Sequence, residues 1–183
     1  MSGAPQVRRA DRVMSEARVD ELLSRGYAGR LGTVGEDGWP YVVPLLYVRI
    51  DGEIWVHTTA ARGHLRTNVE HEPRVCFELD DPGPAFPYGR FECDTALAYE
   101  SVLAFGRIRV VQGDADKRRF FDSLMAKYAD PSWDRPPGFY PRLGDVTVYA
   151  ITVERVTGKE TALPAAQNRW PAVDNTKSPG AIV

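Results

Sequence analysis

Short apolar runs separated by turn-forming residues constrain the fold of this chain more than any other feature of its sequence. One run ends at Val34, and the next three are YVVPLLYV at 41–48, EIWVH at 53–57 and RVCFEL at 74–79. GEDG at 35–38 and the Asp51-Gly52 pair lie between them, and both are typical of hairpin turns. Successive strands joined by hairpins, without regular alternation with helices, favour a mostly antiparallel sheet.

Two later runs extend the predicted sheet to about six strands. They are YESVLAFGRIRVV at 99–111 and VTVYAITV at 146–153. Gly106 interrupts the first of them, which predicts a bulge or a close backbone contact. Six twisted antiparallel strands can close on themselves and so remove their edges. We therefore expect a small barrel, with a two-sheet sandwich as the alternative.

About three helices accompany these strands. The first is predicted at 15–25, with Ser15 as its N-cap, and another at 114–128, with Asp114 as its cap. A shorter helix is predicted to start near Gly63 and to be closed by Pro73. The fold is therefore expected to be mainly β, with helices flanking the sheet.

The length of 183 residues suits one domain with tails. We expect an N-terminal arm at 1–14, the domain at 15–160 and an extended C-terminal arm at 161–183. The formal charge of -2 argues against a nucleic-acid partner. The longest apolar run is too short to span a bilayer, and the N-terminus lacks the apolar core of a signal peptide, so a cytoplasmic protein is expected.

The stretch HTTAARGHLRTN at 57–68 carries two of the three histidines, and His71 follows it. On one helix, His64 and His71 would lie about 10.5 Å apart along the axis. Two ligands of one zinc ion normally lie one helical turn apart, so no metal site is predicted. His71 is better interpreted as a favourable cation at the C-terminal end of the helix.

The same stretch also carries the groups that bind a phosphate monoester. Two hydroxyls follow a strand, a glycine lets the backbone approach a ligand, and basic side chains lie where a helix starts. The residues are Thr58, Thr59, Arg62, Gly63, His64 and Arg66. Considered by itself, the stretch is explained equally well as a solvated basic turn.

Several loosely defined motifs follow one another along the chain in an order that resembles a known family. They are GWPYVVPLLY, the V-H ending of the third run, N-x-x-x-x-P-R-V-C-F, Y-x-S-V-L-A-F-G and a late T-G-K. In this order they resemble the FMN-binding split barrels of the pyridoxamine 5'-phosphate oxidase-like superfamily, and most of all its nitroimidazole-resistance (Nim-type) flavin-binding proteins. The resemblance covers residues 8–160 and implies a six-stranded antiparallel split β-barrel with about three flanking helices.

The resemblance also implies where FMN would bind. The strand at 43–46 would lie against the isoalloxazine ring, and Tyr99 and Ser101 would reach the flavin across the interface of a homodimer. Many relatives have two consecutive basic residues after the glycine, where this chain has His64-Leu65 and carries its charge on Arg62 and Arg66. The complete set of implied cofactor-binding residues is Val43, Pro44, Leu45, Leu46, His57, Thr58, Thr59, Arg62, Gly63, His64, Arg66, Asn68, Tyr99 and Ser101.

These residues predict an FMN-dependent oxidoreductase that reduces a small, flat, electron-poor substrate such as a nitro-aromatic or a quinone. His57 is the predicted catalytic residue, as a proton donor or hydrogen-bonding partner, and NAD(P)H is a candidate electron donor. The structural alternative for His57 is a buried strand-end histidine with a backbone partner. The functional alternatives are a haem-binding or haem-degrading protein, with a histidine on the iron, and a non-catalytic flavin-binding module.

Overall fold

The computed structural model describes residues 6–89 and 91–165. Ten longer elements make up this part of the chain, together with short 3-10 helices at Ala10–Arg12 and Leu143–Asp145. The α-helices are α1 (Glu16–Arg25), α2 (His64–His71) and α3 (Asp114–Tyr128). The strands are β1 (Gly29–Val34), β2 (Pro40–Leu45), β3 (Tyr47–Ile50), β4 (Glu53–Thr59), β5 (Arg74–Pro87), β6 (Thr95–Val110) and β7 (Val146–Thr161).

The seven strands form one sheet in the order β2-β1-β5-β6-β7-β4-β3. β1 pairs antiparallel with β2 and β5, and β4 pairs antiparallel with β3 and β7. The predicted fold class, a mainly β antiparallel split barrel with about three helices, is confirmed, with seven strands in the described residues where about six were predicted.

The apolar run at 41–48 is two strands, so its prediction as one strand was wrong. β2 lies at one end of the strand order and β3 at the other, and Leu46 alone joins them. Two Cα–Cα steps of about 3.8 Å each span this link. The end of β2 and the start of β3 must therefore lie close together, although the two strands are at opposite ends of the strand order. Apolar residues continue across the link, and for this reason the sequence does not mark the change of partner.

Both predicted hairpin turns are present. Asp51 and Gly52 have φ angles of 52° and 81°, as a type I′ turn requires, and they connect β3 to β4. Between β1 and β2, the amide of Gly38 donates to the carbonyl of Gly35 at 2.9 Å. The register of both strand pairs is therefore fixed by local turn chemistry.

Of the two predicted helix caps, Ser15 is confirmed and Asp114 is wrong. Ser15 Oγ accepts the amide of Arg18 at 3.4 Å, which confirms Ser15 as the cap of α1. Asp114 does not cap α3, because it is already the first helical residue and Gly113, with φ 89°, precedes it. The carboxylate of Asp114 instead lies in the first turn, where the helix dipole favours a negative charge.

Two compact units divide the chain. The first unit comprises the described parts of residues 1–22, 80–102 and 157–183, and the second comprises residues 23–79 and 103–156. The second unit has a core in which β3, β4 and β7 pack against α3. Its buried residues are Val48, Ile50, Trp55, Val111, Phe120, Leu124, Val148 and Ala150.

In the first unit, Val13 forms a bridge with Lys159, and the amide of Met14 donates to the carbonyl of Gly158 at 3.1 Å. These contacts lie in the predicted N-terminal arm and at the end of β7. Residues 161–165 of the predicted C-terminal arm are described, and residues 166–183 lie outside the described residues.

Candidate functional site

His57 lies near the end of β4, where the burial of that strand begins to decrease. Ile54, Trp55 and Val56 before it are buried, whereas His57 is half-buried. Its ring lies 5.4 Å from that of Phe120 and 5.5 Å from that of Phe121, measured between centroids. Burial lowers the pKa of His57 below its ordinary value, so the imidazole is neutral near pH 7.

One ring nitrogen of His57 has no partner in the described part of the chain. Nδ1 is buried, and no atom of the described residues forms a hydrogen bond with it. A buried polar atom of this kind is uncommon, because leaving it unpaired costs free energy. The alternative of a buried strand-end histidine with a backbone partner is therefore not supported at Nδ1.

A cavity of about 970 Å³ opens beside His57 in the second unit, and we call it the His57 cavity. Its walls come from the end of β4, from α3 and from the loop at 129–145. Most of the side chains that line it are aromatic or aliphatic. They include Phe121, Leu124, Met125, Trp133, Phe139, Tyr140 and Leu143, together with Thr59, Asp122, Asp130, Arg135, Arg142 and Asp145.

Hydrogen bonds connect the C-terminal part of the loop at 129–145 to α3. Tyr140 donates its hydroxyl to Asp122 Oδ1 at 2.7 Å, and its ring lies 5.5 Å from that of Phe121. Lys117 Nζ donates to the carbonyls of Leu143 and Val146 at 2.8 and 3.0 Å. Burial raises the pKa of Tyr140 to about 12, so the phenol is protonated and remains a donor.

Sequence reasoning identified His57 but not this loop or Phe121 as parts of a cavity wall. The available signal was the density of proline and aromatic residues in ADPSWDRPPGFYPRLGD, between α3 and the last strand. A long connection without its own secondary structure is often functional.

Of the predicted phosphate-binding residues, Gly63, His64 and Arg66 lie at the start of α2, and Thr58 and Thr59 lie at the end of β4. Gly63 is the N-cap residue, no side chain caps the helix, and a Cβ built on Gly63 would meet no atom within 4 Å. The first-turn N–H groups of α2 therefore have no side-chain cap among the described residues. Thr58 donates its hydroxyl to the carbonyl of Thr59 at 3.1 Å, and Thr59 lines the His57 cavity.

Both predicted arginines already have a carboxylate partner. Arg62 Nη2 lies 2.6 Å from Glu70 Oε2, and Arg66 Nε lies 2.5 Å from Glu70 Oε1. The hydrogen bond from Arg66 and the charges of both arginines lower the pKa of Glu70. A phosphate at this place would compete with Glu70 for the two guanidinium groups.

His64 and Asn68 face another part of the second unit. Asn68 is buried and donates Nδ2 to Thr33 Oγ1 at 3.0 Å, which ties α2 to β1. The ring of His64 lies 5.7 Å from that of Tyr41. These residues line a separate cleft of about 630 Å³, formed with the β1–β2 turn. The structure therefore does not bring His57 and His64 into one cavity.

The remaining predicted residues lie on β2, at Leu46 and on β6. Val43, Pro44 and Leu45 belong to β2, which is the outer strand of the sheet beside β1. Leu46 packs against the core of the second unit. Tyr99 and Ser101 belong to the part of β6 in the first unit, where Ser101 donates Oγ to the carbonyl of Lys159 at 3.4 Å and Lys159 Nζ lies 5.7 Å from the Tyr99 ring.

Within residues 6–89 and 91–165, the side chains include no group of three or more histidine, cysteine, aspartate or glutamate residues that could hold a metal ion. In the same ranges, no helix has the length and apolar character needed to cross a membrane.

Many solved structures are similar to this chain, and three of them illustrate the likeness. They are a flavocytochrome of Azotobacter vinelandii (TM-score 0.70, 16% identity, 90% of this chain and 81% of that chain covered), the FAD- and haem-binding protein of Mycobacterium smegmatis (0.68, 17%, 92% and 91%) and a proposed 5-nitroimidazole antibiotic resistance protein of Bacteroides thetaiotaomicron (0.67, 20%, 81% and 85%). At these identities the likeness shows a shared fold. No curated protein sequence gave a significant match.

The sequence itself matches a family model described as pyridoxamine 5'-phosphate oxidase over residues 15–160. This range includes all seven strands but the last residue of β7, the three α-helices and the His57 cavity. The resemblance stated from the sequence motifs is confirmed. The chain belongs to the pyridoxamine 5'-phosphate oxidase family.

Proposed function

We propose that this protein binds FMN and reduces a small, flat, electron-poor substrate such as a nitro-aromatic or a quinone. The observation that carries the proposal is His57, a half-buried imidazole with an unpartnered Nδ1 beside an aromatic cavity of about 970 Å³. Membership of the family supports the cofactor class, as do the flavocytochrome and the FAD- and haem-binding protein among the similar structures.

The residues at the start of α2 fit the phosphate of FMN. Gly63 leaves the first turn open, and Arg62 and Arg66 lie beside it with exposed or half-exposed side chains. Phosphate would take the place of Glu70 as the partner of these arginines, and bidentate contacts to guanidinium make that exchange favourable. Thr58 and Thr59 complete the proposed binding region at the end of β4, whereas His64 and Asn68 would contribute from the separate cleft.

The walls of the His57 cavity would exclude water from a bound aromatic molecule, because Phe121, Trp133 and Tyr140 line it. A bound flavin would supply the electrons of the reduction. His57 contributes an imidazole that is neutral near pH 7, and its Nδ1 has no hydrogen-bond partner among the described residues. As the proposed catalytic residue, it would hold or deliver a proton there.

The proposal includes a homodimer. β2 is an outer strand, and Val42 on it is 62% exposed, as expected of a strand that a second copy could cover. Val43, Pro44, Leu45 and Leu46 would then lie near the flavin, and Tyr99 and Ser101 would contribute from the partner subunit. NAD(P)H is the proposed electron donor, and a cytoplasmic location is part of the same proposal.

The test begins with the absorbance and mass of whatever the purified protein releases. Release of FMN, followed by reduction with NAD(P)H and reoxidation by a nitro-aromatic faster than free FMN achieves, would support the enzyme. His57→Asn should retain FMN and lose most of this turnover. A protein that binds FMN but gives no turnover above free FMN would instead be a non-catalytic flavin-binding module.

A second candidate is haem binding, and His57 is the observation that favours it. A neutral imidazole with a ring nitrogen that has no partner among the described residues, beside an apolar cavity, has the chemistry of an axial iron ligand. Titration of the protein with haem should then give a Soret band that His57→Ala loses and His64→Ala retains. A colourless protein that takes up neither FMN nor haem would contradict both candidates.

A further inference from the structure

The middle of the loop at 129–145 presents large aromatic side chains at the His57 cavity. Trp133 is 45% exposed and Phe139 is 65% exposed, and both line the cavity. Exposed aromatic surface beside a cavity marks a place where an apolar ligand gains burial. A flat ring placed between these side chains would find stacking partners.

The carboxylates that line the same cavity already have partners. Asp122 accepts the Tyr140 hydroxyl at 2.7 Å, and Asp130 accepts Ser132 Oγ at 2.6 Å. Asp145 pairs with Arg142 at 2.9 Å. Cationic ligands would therefore have to compete with an existing contact at each carboxylate.

Arg135 differs from Arg142 on the same loop. Among the described residues its guanidinium has no carboxylate partner, and its recorded side-chain hydrogen bond is to Met125 Sδ at 3.9 Å. The guanidinium carbon lies 5.0 Å from the centre of the Trp133 ring. A guanidinium held at an aromatic ring keeps its planar donors for a second, anionic partner.

We propose that the His57 cavity selects flat aromatic ligands that carry a carboxylate, with Trp133 and Phe139 contacting the ring and Arg135 binding the carboxylate. The inference rests on the proposed function, since it names the substrate class of the same site. Asp122, Asp130 and Asp145 place negative charge in the same lining, so the contribution of Arg135 is expected to be modest.

The test compares 4-nitrobenzoate with nitrobenzene, which share a nitro-substituted ring and differ in the carboxylate. Their dissociation constants are measured by calorimetry on the full chain, with and without FMN. We expect a preference of about fivefold for 4-nitrobenzoate, as for one exposed charge-assisted contact. Arg135→Gln should remove the preference, and the matched control Arg142→Gln should keep it, because Arg142 is already paired with Asp145.

In this comparison of 4-nitrobenzoate with nitrobenzene, two outcomes overturn the inference. One is a wild-type protein with no preference between the two probes, and the other is an Arg135→Gln variant, folded by circular dichroism, that keeps the preference. If the wild-type protein in either case binds FMN and reduces a nitro-aromatic faster than free FMN does, the proposed function stands without this substrate class. A preference in a protein that takes up no FMN would support the ligand site and contradict the proposed cofactor.

A comparison of FMN with riboflavin tests which anion Arg135 binds, the carboxylate of a substrate or the phosphate of the flavin. The two flavins differ in the phosphate, so the ratio of their dissociation constants reports contacts to it. The inference expects the same ratio in wild type and Arg135→Gln. A smaller ratio in the variant would assign Arg135 to the flavin phosphate and overturn the substrate assignment.

Discussion

The imidazole of His57 packs against the ring of Phe120, with 5.4 Å between the two centroids. Phe120 is fully buried in the core of the second unit, so one side of His57 rests on a close-packed wall. The His57 cavity lies beside the imidazole. This placement explains both the lowered pKa of His57 and its access to a ligand.

Stability should depend on pH through His57. Because burial lowers the pKa of His57 in the folded state, the unfolded chain binds more protons just below the ordinary value of about 6.5. The free energy of unfolding should therefore fall as the pH drops through about 6.5, and this loss should end once the pH is below the folded-state pKa. Urea unfolding at several pH values measures this loss of stability.

The His57→Asn variant isolates this contribution from that of other titrating groups. Between pH 7.5 and pH 5 it should lose less stability than the wild type, whereas the control His64→Asn, at an exposed histidine, should behave as the wild type does. Equal losses in wild type and His57→Asn would contradict the buried neutral imidazole.

Glu70 should restrain the phosphate-binding arginines. Glu70→Gln removes the carboxylate that pairs with Arg62 and Arg66, so the affinity for FMN should rise severalfold. Replacing both arginines by alanine should lower it by about tenfold, as expected for lost charge-assisted contacts. Equilibrium titration followed by flavin fluorescence gives both values.

Riboflavin provides the control for these variants, since it lacks the phosphate. Its affinity should be the same in wild type, Glu70→Gln and the double alanine variant. If the arginines affect riboflavin and FMN equally, they do not bind the phosphate. The exposed pairs themselves should contribute little to stability, so the variants should remain folded.

The sequence predicted the parts of the fold that depend on local chemistry. Asp51-Gly52 required a tight turn, Ser15 placed the start of α1, and the helical stripe placed α3 at 114–128. These features are specified by neighbouring residues in the chain. Partner changes between strands are set by distant residues, and for this reason the division at Leu46 was not predicted.

The limits of strands β5 and β7 were missed for a similar reason. The predicted strands ended at Leu79 and Val153, whereas β5 continues to Pro87 and β7 to Thr161. The extensions contain Asp, Pro and Gly residues that disfavour strands when considered locally. Pairing with other segments outweighs that preference.

For the candidate site, the sequence indicated candidate residues but not how the structure groups them. His57 was identified, but Asn68 faces Thr33 and a separate cleft. His57 and Asn68 are close in sequence but do not line one cavity, because β4 and α2 direct these side chains to different parts of the second unit.

The hydrogen bond between Asn68 and Thr33 should be worth measurable stability. Asn68→Ala leaves the Thr33 hydroxyl without this buried partner, which should lower the free energy of unfolding by about 1–3 kcal/mol. Thr33→Val breaks the same bond from the other side. A double-mutant cycle by urea unfolding should show coupling between the two sites.

The same two variants test whether Asn68 also contacts the cofactor. If it does, FMN affinity should fall in Asn68→Ala and remain unchanged in Thr33→Val. A fall in both would indicate an indirect effect through the position of α2. No change in either would remove Asn68 from the predicted set of cofactor-binding residues.

Gly106 should tolerate no side chain, because β7 passes too close to it. A Cβ built on Gly106 would lie 2.1 Å from the Thr152 carbonyl oxygen, and the obstacle is backbone rather than a movable side chain. Gly106→Ala should therefore force the strands apart and lower the free energy of unfolding by about 3 kcal/mol or more, as for strongly overpacked sites. Gly144→Ala is the control, since a Cβ there meets nothing within 4 Å and the change should stay within about 0.5 kcal/mol. Equal stability of the two variants in urea unfolding would show that β6 and β7 can shift apart at little cost, and would contradict the close contact predicted from the glycine in FGRI.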